Sequence, residues 1–146
     1  MTPLDRERRT ELLAAADAEA LVAVADACLE GADEPEIVTG PEVGMVVLTV
    51  REPVEATRFH LGEVLVTRAE VVHRGRRGWS MRMGEDRPGA LAAAICDAEV
   101  EAGGPQAPAV DRLCGETDHG LADARTREWV DLAPTIVRFE EMGEGG

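Results

Sequence analysis

The sequence lacks lysine and tyrosine altogether, and its aromatic residues are two Trp and two Phe. Without lysine, the chain has neither a Schiff-base nucleophile nor the lysine of a phosphate-binding loop. Its three cysteines, Cys28, Cys96 and Cys114, form no Cys-x-x-Cys pair, so we expect no disulfide framework. No apolar run approaches the roughly 18 residues of a membrane span, and the N-terminus is charged rather than signal-like. These absences predict a soluble protein of the reducing cytoplasm.

Acidic residues are what the sequence has in excess. Its 146 residues include 29 Asp and Glu against 15 arginines, which gives a net charge of −14. The acids crowd the two ends, whereas residues 51–90 hold eight arginines and six acids. A chain this acidic repels a phosphate backbone, so nucleic acid is excluded as a partner. The length and the apolar content of 45% predict a single globular domain over residues 1–146.

Residue periodicity predicts an α+β fold. Residues 1–31 carry apolar side chains at spacings of three and four, which predicts N-terminal helices, with Asp17 capping the second and Gly31 following it. Residues 36–83 are rich in β-branched residues and predict a central antiparallel sheet of three to four strands with a hairpin. Residues 88–146 predict C-terminal helices over 90–102, 110–113 and 121–132, then a short last strand over 135–141. This order of elements argues against a doubly wound α/β fold.

No nucleophile or metal site stands out in the sequence. Ser80, the only serine, has no nucleophile elbow around it, and the first two cysteines lie on apolar helix stripes. Cys114 lies in a polar stretch with Asp118 and His119, but their spacing matches no zinc signature. We therefore predict an ordinary loop without a metal at this place.

Groups suited to acid–base chemistry are abundant rather than distinctive. Four carboxylates flank the predicted sheet: Glu63, Glu70, Glu85 and Asp86. A general acid or base is chemically available among them, but most charges in so acidic a chain form a solvated face. His60 and His73 fall at the ends of predicted strands, where polar residues are common. The sequence thus predicts no catalytic residue and no metal or cofactor bound by this chain alone.

An arginine-rich turn joins the last two predicted strands. Arg74, Arg76 and Arg77 stand there with Gly75 and Gly78. Guanidinium groups bind oxyanions bidentately, so phosphate, phosphonate or a partner's carboxylates would suit this turn. The alternative is a charged hairpin tip that keeps a sheet edge soluble.

Trp79, Met81 and Met83 alternate with polar residues after the turn, at the period of a β-strand. Trp and Met are enriched in protein interfaces, so these residues are candidates for a partner contact. Burial in the sheet core is the favoured interpretation for Met81 and Met83.

Two blocks of sequence resemble a known family. From Arg58 the chain reads RFHLGEVLVTRAEVV, and from Gly78 it reads GWSMRMGEDRPGALAAAICDAEV. In order and spacing these blocks, together with TIVRFEEM at residues 135–142, resemble the PhnG family of phosphonate metabolism proteins. The specific part of the resemblance is residues 58–98, and nothing is carried over to residues 103–125.

The resemblance implies an accessory subunit of the bacterial carbon–phosphorus lyase core complex, in a hetero-oligomer with PhnH, PhnI and PhnJ. In that complex a phosphonate displaces adenine from MgATP, giving ribose 1-phosphonate 5-triphosphate. The iron–sulfur cluster and S-adenosylmethionine belong to PhnJ, and no catalytic residue is assigned to this subunit.

Two other hypotheses remain open on the sequence. One is a stand-alone enzyme or binding module for a phosphorylated metabolite, with the arginine turn as its anion clamp and Glu63 or Asp86 as its base. The other is an interaction module unrelated to phosphonates, which uses its acidic helices as the contact face.

Overall fold

The computed structural model describes residues 4–51, 58–127 and 136–142. In chain order the elements are helices α1 (Arg6–Ala15) and α2 (Ala18–Leu29), strands β1 (Glu36–Arg51), β2 (Arg58–His73) and β3 (Arg76–Met83), helices α3 (Arg87–Glu101) and α4 (Ala107–Arg127), and strand β4 (Ile136–Met142). The predicted α+β order of helices, sheet and helices is confirmed.

The strands form one antiparallel sheet in the order β3-β2-β1-β4. Strands β2 and β3 make the predicted hairpin, and its two turn residues, Arg74 and Gly75, have φ values of 53° and 77°. Left-handed backbone at both positions is the geometry of a two-residue hairpin turn that matches the sheet twist. Strand β4 pairs only with residues 45–51 of β1.

Aspartates begin three of the helices. The carboxylates of Asp5, Asp17 and Asp86 each accept a hydrogen bond from the backbone N–H three residues further on, so they act as N-caps. The predicted cap at Asp17 is confirmed. Asp86 stands before Arg87 and Pro88, a favourable start because proline needs no hydrogen-bond acceptor in the first turn.

Helix α3 packs directly on one face of the sheet and is the centre of the core. We call this side the packed face; Thr67, Ala69 and Val71 of β2 and Gly78 and Ser80 of β3 are buried there. Gly78 allows the close approach, because an added Cβ would lie 1.9 Å from the carbonyl oxygen of Ala94. The other helices, α1, α2 and α4, contact α3.

The C-terminal half of the helical prediction needs a correction. Helix α4 runs without a break over Ala107–Arg127, where the sequence predicted separate stretches and a loop at Cys114. Val110, Leu113 and Cys114 are buried at helical spacing, so packing holds the helix through its glycines despite their low helix propensity. Residues 128–132 of the predicted helix lie outside the described residues.

The interpretation of Met81 and Met83 as sheet core is wrong. Along β3 the buried positions are Gly78, Ser80 and Arg82, and the apolar side chains point to the opposite face. Both polar side chains bond into the helical layer: Ser80 Oγ donates to the carbonyl of Ala90, and Arg82 Nη1 donates to that of Leu13. These bonds satisfy the buried polar groups and fix which side of β3 faces inward.

Candidate interaction surface

The side of the sheet opposite the packed face, which we call the open face, carries exposed apolar side chains. Trp79 is 40% exposed and Met83 is 63% exposed, while Met81 between them is half-buried. We call these three residues the open-face patch. Large exposed hydrophobic side chains gathered on one surface are typical of protein interfaces.

Charged neighbours of the patch neutralise one another. In the β2–β3 register Glu70 lies opposite Trp79, and Arg68 lies opposite Met81, so all four side chains share the open face. Arg77 donates to Glu70 at 2.6 Å, and Arg68 donates to Glu42 of β1 at the same distance. The patch is therefore apolar and bordered by paired charges.

A second exposed apolar pair lies on the other side of the sheet. Met45 and Leu65 face each other across β1 and β2, and they are 37% and 47% exposed. Leu65 is two residues before the buried Thr67, so strand alternation places it on the packed-face side. This pair lies on a different face from the open-face patch, and its side chains are likewise apolar and exposed.

The structure does not bring the three turn arginines together. Arg74 Nε donates to Glu99 of α3 at 2.9 Å, on the helical side, whereas Arg77 pairs with Glu70 on the open face. Arg76 is exposed, with no ion pair in the described part of the chain. Two of the three guanidinium groups are thus already neutralised, on opposite sides of the sheet.

Glu99 ties the hairpin end to the helices. Its buried carboxylate accepts hydrogen bonds from His73 Nε2 at 2.7 Å, from Arg74, and from the backbone N–H of Gln106 at 2.8 Å. Burial raises the pKa of Glu99, but these hydrogen bonds favour the carboxylate and the net pKa lies below its usual value. The Nδ1 atom of His73 is buried without a hydrogen-bond partner among the described residues.

Asp97 ties α1 and β3 to α3. Its buried carboxylate accepts from Arg9 at 3.0 Å, from Arg6 at 2.9 Å, and from the backbone N–H of Trp79 at 3.0 Å. Arg6 also donates to the carbonyl of Arg77. Side chains of α1 and α3 therefore hydrogen-bond to backbone groups on the outer edge of β3, and these bonds protect this part of the edge from strand pairing.

A family model described as phosphonate metabolism protein PhnG matches residues 4–145. The chain belongs to the PhnG family. This confirms the resemblance that the sequence blocks indicated, and it extends over residues 103–125, to which that resemblance assigned nothing. No curated protein matches the chain. Membership connects the chain with phosphonate metabolism.

Of the four carboxylates considered for acid–base chemistry in this PhnG-family chain, three pair with an arginine. Asp86 caps α3 and accepts from Arg82 Nε at 3.0 Å. Glu70 pairs with Arg77 as described, and Glu85 pairs with Arg87 at 2.7 Å. Glu63 is exposed on β2.

All three cysteines of the PhnG-family chain are buried. A hydrogen bond to Cys28, with burial, raises the pKa of the Cys96 thiol, and burial raises that of Cys114 to about 11. Both thiols are therefore protonated at neutral pH and poorly nucleophilic. The loop predicted at Cys114 is wrong, because Cys114 lies within helix α4 and is buried. His119 lies on the same helix and is exposed.

Asp118, the third member of that sequence cluster, pairs with Arg8 of α1 at 2.6 Å. Within residues 4–51, 58–127 and 136–142, no set of His, Cys, Asp and Glu side chains is arranged to hold a metal ion. In the same residues, no helix is both long and apolar enough to cross a bilayer.

Sequence reasoning missed the buried ion pairs. Asp97 and Glu99 interrupt an alanine-rich apolar stretch, AAAICDAEV, and this interruption was the available signal. Their arginine partners come from α1 and the hairpin turn, which are distant in sequence. The pattern of charges along α3 alone therefore could not predict which arginines pair with Asp97 and Glu99.

Proposed function

We propose that this chain is a non-catalytic accessory subunit of the carbon–phosphorus lyase core complex. In that reaction a phosphonate displaces adenine from MgATP to give ribose 1-phosphonate 5-triphosphate. The observation that carries the proposal is the contrast between reactive groups that are used internally and apolar groups that are left exposed. Family membership supplies the metabolic context.

The internal use of reactive groups supports a structural role. Asp97 and Glu99 each accept three or more hydrogen bonds from within the chain, and the thiols of Cys96 and Cys114 are protonated. A general base or nucleophile needs a free, solvent-accessible position for substrate. Neither buried carboxylate offers one.

The exposed apolar side chains support assembly with other proteins. We infer PhnH, PhnI and PhnJ as the partners, in a cytoplasmic hetero-oligomer. MgATP is then a substrate of the whole complex. The iron–sulfur cluster and S-adenosylmethionine are carried by PhnJ, so this chain binds no cofactor of its own.

Co-expression tests the proposal. The tagged chain is expressed with PhnH, PhnI and PhnJ, the purified material is weighed by native mass spectrometry, and adenine release from MgATP and methylphosphonate is measured. We expect stoichiometric incorporation and adenine release that requires the chain. A monodisperse monomer that joins none of the three, or adenine release that is the same without it, would contradict the proposal.

The stand-alone hypothesis has a separate test. Calorimetric titration of the isolated chain with ATP and with methylphosphonate should give no saturable heat. Saturable binding that Arg76→Glu abolishes would favour the hypothesis of a binding module with the arginine turn as its anion clamp.

A further inference from the structure

We propose that the open-face patch docks, face to face, on a different protein whose contact surface is apolar and ringed by basic side chains. The inference rests on the proposed function in one respect, which is that its test uses PhnH, PhnI and PhnJ as the partner proteins. Trp79, Met81 and Met83 lie at alternate positions of one strand, so they form a stripe about 13 Å long. Trp and Met supply much of the buried area at the centres of protein interfaces.

The geometry of β3 selects face packing over strand addition. The outer edge of β3 presents the carbonyl of Arg77 and the N–H of Trp79, and both are already bonded, to Arg6 and Asp97. A strand added along this edge would have to break both bonds, one of which involves a buried carboxylate. The patch lies at right angles to that edge and needs no such rearrangement.

Charge selects a different protein over a second copy. Two copies of a chain with net charge −14 repel each other as they approach. At the open face the neighbouring charges are consumed in the Arg77–Glu70 and Arg68–Glu42 pairs, so a second copy finds no opposite charge to pair with. A surface ringed by lysine and arginine is attracted by the net negative charge of the whole chain.

The experiment compares two matched double variants of the full chain. Trp79→Ser with Met83→Ser removes the two exposed members of the patch, and Met45→Ser with Leu65→Ser removes the exposed pair on the other side of the sheet. Both replace exposed side chains, and circular dichroism checks that each variant folds. Affinity for the co-purified PhnH–PhnI–PhnJ assembly is measured at low and high salt, and sedimentation of the isolated chain measures self-association.

We expect the patch variant to raise Kd at least about 30-fold. The control variant should stay within about threefold, as interface-remote surface changes do. Association of the wild-type chain should slow as salt rises from about 0.01 to about 1 M, since steering by charge is screened.

Three results would overturn the inference. An unchanged Kd for the patch variant, with the wild-type chain still assembling, would reject this docking surface and leave the proposed function standing. Dimers of the isolated chain that the patch variant abolishes would reject a different protein as the occupant. A wild-type chain that joins no partner would reject the inference and the proposed function together.

Discussion

The two faces of strand β3 reverse the usual distribution of side chains. Gly78, Ser80 and Arg82 face the helices, while Trp79, Met81 and Met83 face outward. Inside, polar groups are retained because each finds a partner: Ser80 bonds Ala90, and Arg82 bonds Leu13 and Asp86. Outside, Trp79 and Met83 are exposed and Met81 is half-buried. The contrast indicates that hydrogen bonding fixes the packed face, while the open face is the surface that we propose for contact with another protein.

The strongest way to break this contrast is to remove the buried charge that supports the packed side. Asp97→Ala removes one of the two carboxylates that pair with the buried guanidinium of Arg9, the other being Glu101, and frees the N–H of Trp79. We expect a loss of about 3–5 kcal/mol in the free energy of unfolding, measured by urea denaturation. Asp118→Ala, which breaks the half-buried pair with Arg8, is the control and should cost much less than Asp97→Ala. Equal losses from both substitutions would contradict a special role for Asp97.

Adding a methyl group between β3 and α3 tests the packed face through the volume of a side chain instead of its charge. Gly78→Ala places a methyl group against the backbone of Ala94 and Ala98, so α3 must shift. We expect a loss of about 1–3 kcal/mol in the free energy of unfolding. Gly115→Ala, in open space on α4, should instead raise it by about 0.5–1 kcal/mol. A neutral Gly78→Ala would mean that the approach of α3 is looser than the structure shows.

Acid should weaken the Glu99 junction. The folded-state pKa of Glu99 lies below its ordinary value of 4.5, so its contribution to stability is present above that pH and is lost as pH falls through the folded pKa. The free energy of unfolding of wild type should therefore exceed that of Glu99→Gln at pH 7, and the difference should shrink in acid. Urea denaturation of both proteins across this range measures it. A difference that does not depend on pH would show that the carboxylate charge is not what stabilises the junction.

Element type could be predicted from the sequence, but the inward side of β3 could not. Asp17, the hairpin turn and the proline of α3 act locally, so their effects are visible in a few neighbouring residues. Which face of β3 turns inward depends on α1 and α3, whose contacts with it are remote in sequence. The alternation of side chains along β3 shows only that its two faces differ. Hydrophobicity alone assigned Met81 and Met83 to the wrong face. The helix through Cys114 was missed for a related reason, since its burial depends on the other helices.

The smallest effect is expected at the arginine turn, at the border of the open face. Arg76→Glu combined with Arg77→Glu reverses two exposed charges and breaks the Arg77–Glu70 pair, which should change the free energy of unfolding by less than about 1 kcal/mol. Because charges at an interface rim mainly affect the association rate and the proposed partner surface is basic, we expect faster binding to the PhnH–PhnI–PhnJ assembly, by about threefold to tenfold, and little change in dissociation. Arg112→Glu, on the exposed side of α4, is the matched control and should leave both rates unchanged. Unchanged assembly and unchanged adenine release in the double variant would remove the turn from the interface, and the contact would then centre on Trp79 and Met83 alone.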